Sequence, residues 1–275
     1  MRIIESITKV ARLRDTSPSR VSLFVCLLTA LLLSSCQIEK KLAKQYIAER
    51  SNIEAAVFFP EKAEVKVEYN AKLNKQTAVL QDFNQDLFLD VMYNSYAQTL
   101  YDYGVHVYVP EDIDNVPVDS THWLVLLSRM EISGRITEYE DYLFSDMDEY
   151  SYKFPLNTVN VASWFEINDG DWKPVLYNEH NLMDGFESKT DFSIWTNTID
   201  YNYTIDTLKL NDVYNYAVYL GKLYAGYTYD YMLNSYVGAE LNKKGYIYQI
   251  MLRYDPYKKQ LRYEDEDDGF VEINE

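Results

Sequence analysis

The sequence predicts an α+β domain: a mixed, mainly antiparallel sheet with two helices packed on one face, plus a C-terminal β-hairpin. Three observations carry that prediction. Segments 84–103 and 212–235 repeat apolar residues at helical spacing. The other structured segments alternate with period two or form short β-branched runs closed by turn residues. Their order is strand, helix, strand, three antiparallel strands, helix, hairpin, which joins one crossover to several hairpin connections.

Each element has a local reason. Residues 37–50, QIEKKLAKQYIAER, are polar and lack a full apolar stripe, so they read as a tether or short helix. Residues 53–59, IEAAVFF, form a short strand stopped by Pro60. KAEVKVEY, 62–69, alternates as an edge strand does. In 84–103, Leu89, Met92, Tyr93, Tyr96, Leu100 and Tyr103 share one helical face, with Asp82 or Asn84 as cap and Gly104 as stop. VHVYV, 105–109, follows as a strand with Val105, Val107 and Val109 on one side, and strand, helix, strand implies a right-handed parallel crossover. After an acidic loop, 110–120, a strand over 122–136 sets Leu124, Leu126, Met130 and Ile132 on one face.

Strands 158–167 and 172–180 flank Asn168-Asp169-Gly170-Asp171, a two-residue type I′ hairpin turn. That turn sets Glu166 opposite Lys173 and Trp164 opposite Val175, with Pro174 on the side lacking a ladder partner. The helix over 212–235 buries Val213, Tyr216, Ala217, Leu220, Tyr224, Tyr227 and Tyr231. Ala217, Gly221 and Ala225 flank that stripe four residues apart. Lys222, Asp230 and the tyrosines exclude a membrane span, so the small residues point to close packing on the sheet. A hairpin around Asp255-Pro256 and the acidic end EDEDDGFVEINE close the chain.

The first 36 residues say where the protein resides. Residues 2–20 carry Arg2, Lys9, Arg12, Arg14 and Arg20 against Glu5 and Asp15. Val21–Leu33 is an apolar run of 13 residues, too short to span a bilayer and of the length of a signal-peptide core. It ends in Leu33-Ser34-Ser35-Cys36. This resembles a bacterial lipoprotein signal, with 1–35 removed by cleavage between Ser35 and Cys36. The resemblance implies that the Cys36 thiol receives a diacylglycerol and that the freed amine is acylated. Several acyl chains make a lasting anchor where one is marginal. Gln37 in place of an aspartate implies, by the enterobacterial sorting rule, the outer membrane. The expected organisation is a removed signal at 1–35, a lipidated tether at 36–52, and one domain at 53–275 ending in an acidic tail, 264–275. Residues 36–275 hold 21 basic and 41 acidic residues, a charge of −20, so the lipid must hold a body that anionic head groups repel. In element order, 53–235 is similar to small envelope lipoproteins that assist lipopolysaccharide assembly, lipid transport or peptidoglycan synthesis.

The chain as a whole carries −17, which excludes a dedicated nucleic-acid binder. Two cysteines give no disulfide framework and no cysteine-built zinc site. No nucleophile elbow, zinc-protease helix, P-loop or dinucleotide fingerprint occurs. Glu179-His180 would point to opposite faces of a strand, while His106 lies within a strand and His122 at the start of one. Counting Glu264, Glu266, Asp268 and Glu275 as positions one, three, five and twelve gives a partial calcium-loop match, with glutamates where aspartates are preferred and no exiting helix. A solvated acidic tail is the plainer reading, so no metal or other cofactor is expected. The 27 tyrosines all follow Cys36, and fifteen lie between Tyr201 and Tyr263. Tyrosine suits both half-buried strands and contact surfaces. Tyr219 and Tyr229 point away from the second helix's stripe and, with Trp172, are the expected contact residues; Trp123, Trp164 and Trp195 are further aromatic candidates. The expectation is therefore a non-catalytic outer-membrane lipoprotein, an accessory or binding subunit docked on an envelope protein partner. A carbohydrate- or peptide-binding surface lipoprotein, and an envelope hydrolase using carboxylates, are the alternatives.

Overall fold

The computed structural model describes residues 38–109, 116–117, 121–144, 149–168, 174–193, 198–248, 251–264 and 269–273. Residues 38–49 form helix α1, and its Leu42, Ala43 and Tyr46 are buried in the core. The segment read as tether or short helix is thus a packed helix. Its stripe of Ile38, Leu42-Ala43 and Tyr46-Ile47 is broken up in sequence by Lys40, Lys41 and Lys44, which hide it from a periodicity count. A 3₁₀ turn, Arg50–Asn52, leads into β1, Glu54–Phe58, whose Ala55, Ala56 and Val57 are buried. β2, Glu64–Val67, is exposed along its length. β3, Tyr69–Asn70, and β4, Lys75–Gln76, make a small hairpin.

Helix α2, Gln85–Tyr103, begins where the Asn84 side chain accepts from the Leu87 N–H at 3.1 Å. It ends at Gly104, which adopts φ 91° and donates to the Tyr101 carbonyl at 2.8 Å. β5, His106–Tyr108, then runs parallel to β1, as the strand-helix-strand order implies. β6, His122–Phe144, and β7, Glu149–Asn168, form a long antiparallel ribbon, followed by β8, Val175–Met183. β9, Gly185–Ser193, and β10, Thr198–Asp206, form a separate hairpin. Helix α3, Leu210–Lys243, runs eight residues past the expected end and buries Val237 and Leu241 there. β11, Met251–Asp255, and β12, Gln260–Glu264, form the expected C-terminal hairpin, and β13, Val271–Ile273, is last.

The main sheet has seven strands in the order β13-β8-β7-β6-β1-β5, with β2 on the β1 side of β6. β1 and β2 run parallel to β6, whereas β7, β8 and β13 join antiparallel. The α+β expectation holds. α2 and α3 pack tightly together: a Cβ on Gly221 would lie 2.4 Å from the Met92 carbonyl oxygen. The small residues of α3 therefore admit a neighbouring helix, not the sheet. Phe165 of β7 meets Tyr96 of α2 and Tyr224 of α3, which fixes the face that the helices cover.

Two register expectations change. The ladder between β6 and β7 slips between Leu127 and Arg129. This bulge reverses the alternation, so Trp123, Val125 and Leu127 share the helix-facing side with Met130 and Ile132. Leu124 and Leu126 fall on the other side. In the next hairpin Trp164 pairs with Tyr177, two residues beyond the expected Val175. Asp169, Gly170, Asp171 and Lys173 lie outside the described residues, and Pro174 precedes the strand, where no ladder donor is needed.

Buried polar groups lock the periphery. The Asp230 carboxylate, buried on α3, accepts from Arg253 Nε at 3.0 Å and from the Tyr254 N–H at 3.1 Å. One turn on, Asn234 accepts from the Leu252 N–H at 2.8 Å and donates to the Leu252 carbonyl at 2.8 Å. The helix thus satisfies the free edge of β11 as a strand would. Asp184, between β8 and β9, accepts from the Asn157 and Leu208 N–H groups, each at 2.7 Å. The acidic end is not wholly solvated: β13 pairs with β8, and Phe270 packs on Phe165, 4.9 Å between ring centroids.

Candidate functional site

Because side chains alternate along a strand, the register aligns the side of the sheet turned away from the helices into rows. Arg129, Trp164 and Tyr177 form one row across β6, β7 and β8. Glu131, Ala162 and Glu179 form the next, then Ser133, Asn160 and Asn181, then Arg135, Thr158 and Met183. Arg129, Glu179 and Asn181 are exposed; Glu131, Trp164 and Tyr177 are half-buried. The small, buried Ala162 stands between Glu131 and Glu179, whose strands are about 10 Å apart.

The contacts along this face are specific. The Arg129 guanidinium sits 4.8 Å from the Trp164 ring centroid, and the Tyr177 ring lies 5.1 Å from Trp164 on another side. Tyr177 donates its hydroxyl to Glu179 at 2.5 Å. Asn160 donates to Glu179 at 2.5 Å and to Asn181 at 3.0 Å. Glu131 pairs with Arg129 and with Lys66, the latter at 3.3 Å. The Tyr177 hydrogen bond, with help from Asn160 and the Arg135 charge, holds the Glu179 carboxyl below its ordinary range. Burial, followed by the hydrogen bond to Glu179, pushes the Tyr177 phenol up to about 12. At neutral pH the face presents a fixed anionic acceptor at Glu179 and a neutral phenol at Tyr177.

The same face continues along the ribbon into an aromatic cluster. Tyr139 and Phe154 are paired there, as are Asp141 and Tyr152. The β9–β10 hairpin packs onto them: Tyr201 stacks on Tyr152 at 4.6 Å, and Phe154 meets Phe186 at 4.7 Å and Tyr203 at 4.6 Å. The Tyr201 hydroxyl donates to Asp141 at 2.8 Å. Tyr139, Tyr152 and Tyr203 stay exposed at the rim.

The residues singled out from sequence are scattered. Tyr229 is fully buried, ringed by Tyr46, Tyr103 and Tyr254, because α1 and β11 cover the side of α3 expected to face solvent. Tyr219 is 53% exposed and stacks on Tyr216, but it lies on the helix layer, away from the sheet's open face. Trp123 is buried. Ser35, Cys36, Trp172, Trp195, Glu266, Asp268 and Glu275 lie outside the described residues, as does the side chain of Glu264. Glu179 and His180 do point to opposite faces: His180 lies on the helix side, 6.0 Å from the Tyr224 ring, where burial lowers its pKa. Among the described residues no group of three or more His, Cys, Asp or Glu could hold a metal ion. None of their helices is long and apolar enough to cross a membrane. The open face was missed because its residues are polar and far apart in sequence. Its trace in β6 is the alternation Glu131-Ser133-Arg135 against Met130, Ile132 and Ile136; in β8 the residues between Tyr177, Glu179 and Asn181 are the polar Asn178 and His180, so no alternation marks that strand.

No protein-family model and no curated protein sequence matches the chain. A solved Helicobacter pylori protein, described as a neuraminyllactose-binding hemagglutinin homolog, is similar at TM-score 0.36 and 11% identity, over 70% of this chain and 91% of that one.

Proposed function

We propose that this protein is a non-catalytic, lipid-anchored binding subunit of the outer membrane that engages an envelope partner through the open face of its sheet. The observation that carries this reading is the Arg129–Trp164–Tyr177 row beside the hydrogen-bonded Asn160, Glu179 and Asn181. Tyrosine, tryptophan and arginine are the side chains that contribute most at protein interfaces, and here one row presents all three. Lipidation at Cys36 rests on the Leu33-Ser34-Ser35-Cys36 resemblance. Because α1 begins at residue 38, such an anchor leaves almost no spacer and holds the folded body close to the bilayer. The test is an affinity pull-down of the intact lipoprotein from solubilised outer membranes, repeated with Trp164→Ala combined with Tyr177→Ala. Stoichiometric recovery of one envelope protein, lost in the double variant, is expected. Recovery unchanged by the double variant, or no stoichiometric partner, refutes it. Cys36→Ala should release the protein from membranes; continued membrane fractionation refutes the anchor.

A second reading is a saccharide ligand on the same face. It is favoured by the line of amide and carboxylate groups running past the Trp164 ring, which suits a polyol with one apolar side. Glycan binding that depends on Trp164, with no protein recovered, would select it.

A further inference from the structure

A cavity of about 350 Å³ opens where the β3–β4 turn leans on the outer edge of β6, separate from the Trp164 row. Its lining includes Tyr69, Leu73 and Ile136 as apolar surface, and Lys72 and Arg135 as cations. The turn is rigidly made: Asn70 accepts from the Lys72 and Leu73 N–H groups, each at 3.1 Å, and donates to the Ile136 carbonyl at 3.0 Å. Arg135 lines the cavity, and its Nε is buried beneath without a hydrogen-bond partner among the described residues, which leaves the terminal nitrogens of the guanidinium as the groups a ligand would meet. A guanidinium stays charged at all relevant pH and offers five donors, so an unmet buried donor is costly.

Three of the nearby carboxylates, Glu138, Glu131 and Glu179, are committed elsewhere. Glu138, at the cavity rim, pairs with Lys153 at 3.1 Å. Glu131 is held by Lys66 and Arg129, and Glu179 by Tyr177 and Asn160. Glu179 feels the Arg135 charge without pairing with it. Glu68 lines the cavity and makes no ion pair among the described residues, so it sets the side from which an anion would be repelled.

We infer that this cavity is a binding site for an oxyanion, a carboxylate or a phosphate, carried on a small ring or apolar body. Arg135 would take the oxyanion through paired N–H groups, Lys72 would add a second charge, and Tyr69, Leu73 and Ile136 would cover the body. In a chain of net charge −17 such a site selects a ligand by local geometry, not by overall attraction. The cavity stands apart from the Trp164 row, but Arg135 also belongs to the sheet face and its charge acts on Glu179, so the Lys72 variant is the arm that leaves that face unaltered.

The intact detergent-solubilised protein is titrated by calorimetry at low ionic strength with inorganic phosphate, benzoate and the neutral benzamide. Binding of phosphate or benzoate, about tenfold or more weaker in Arg135→Gln and absent with benzamide, is expected, and the preferred anion identifies the source. Arg135→Lys should keep the thermal transition and lose most of the affinity, because the charge remains and the fork is gone. Lys72→Gln, an exposed substitution, should weaken binding several-fold if Arg135→Gln does not fold. No binding of either anion by the wild type, equal binding by the Arg135 or Lys72 variants, or equal binding of benzamide overturns it.

Discussion

Gly221→Ala gives the most direct test of how the helix layer is packed. In an ordinary helix interior the change stabilises by about 1 kcal/mol, because alanine has the better propensity. Here the new Cβ would stand 2.4 Å from the Met92 carbonyl oxygen, 2.9 Å from Ser95 Cβ and 3.0 Å from the Tyr96 N, where ordinary contact begins near 3.4 Å. Two of those atoms are backbone and cannot rotate away, so α2 and α3 must separate by about 1 Å at their closest point. That strains the Ser95 hydroxyl bond to the Val218 carbonyl, 2.8 Å, and the Tyr96–Thr228 hydroxyl pair, 2.8 Å. Overpacking of this kind costs about 1–3 kcal/mol. With backbone on both sides the upper part of that range applies, and after the propensity gain a net loss of about 1–2 kcal/mol remains. For a domain of this size that lowers Tm by roughly 2–8 °C. Gly238→Ala on the same helix is the control: its nearest neighbour is Tyr248 Cδ1 at 3.6 Å, so it should stabilise by about 0.5–1 kcal/mol. Urea denaturation of both variants reads the difference. Equal stabilisation by the two substitutions refutes the close helix contact.

Asp230→Ala removes the carboxylate that receives Arg253 Nε and the Tyr254 N–H and should cost about 3–5 kcal/mol by urea denaturation, with Asp230→Asn milder. Phe270→Ala should cost about 2–3 kcal/mol, less than a fully buried phenylalanine; no change would show that the C-terminal segment is not part of the core. His180 is held neutral by burial, its folded pKa below the ordinary 6.5. The unfolded chain therefore binds more protons as pH falls below about 6.5, so stability is lost towards pH 5, and His180→Gln should flatten that slope in melts run across the range. Tyr229→Phe removes a buried hydroxyl without a hydrogen-bond partner among the described residues and should be neutral or stabilising. Tyr96→Phe, by contrast, breaks the bond to Thr228 and should cost about 1 kcal/mol; the reverse order in thermal melts would refute both assignments.

The helices and strands with strong local signals were legible. Asn84 and Gly104 bound α2 because cap chemistry is written in single residues. The faces of β6 were not legible, because one extra residue between Leu127 and Arg129 inverts the alternation and nothing in the local sequence marks it. β9 and β10 went unread, although Ile199, Tyr201, Tyr203 and Ile205 alternate, since a hairpin outside the main sheet offers no continuous apolar face. Tyr229 was misplaced for a different reason: helical periodicity finds one buried stripe, whereas α3 is covered on further sides by α1 and β11. The candidate face depends on register across three strands, and register is a long-range property that composition does not carry.

The tyrosine excess also divides once the fold is known. Tyr96, Tyr216, Tyr224, Tyr227, Tyr229 and Tyr254 are core residues that fill space between helices and strands. Burial pushes the phenols of Tyr96, Tyr224 and Tyr229 far above their ordinary range. These rings contribute area and shape, and phenylalanine could serve at those without a hydroxyl partner. Tyr177 and Tyr201 differ: each donates to a carboxylate, Glu179 and Asp141, at the surface of one continuous sheet face. There the hydroxyl has a defined direction that phenylalanine would lose. The density of tyrosine in the sequence is therefore no guide to where contact is made. The guide to the proposed surface is Tyr177, whose polar end is fixed by Glu179 beside Trp164 and Arg129, and it places the proposed contact on β6–β8 and not at Tyr219 and Tyr229 of α3.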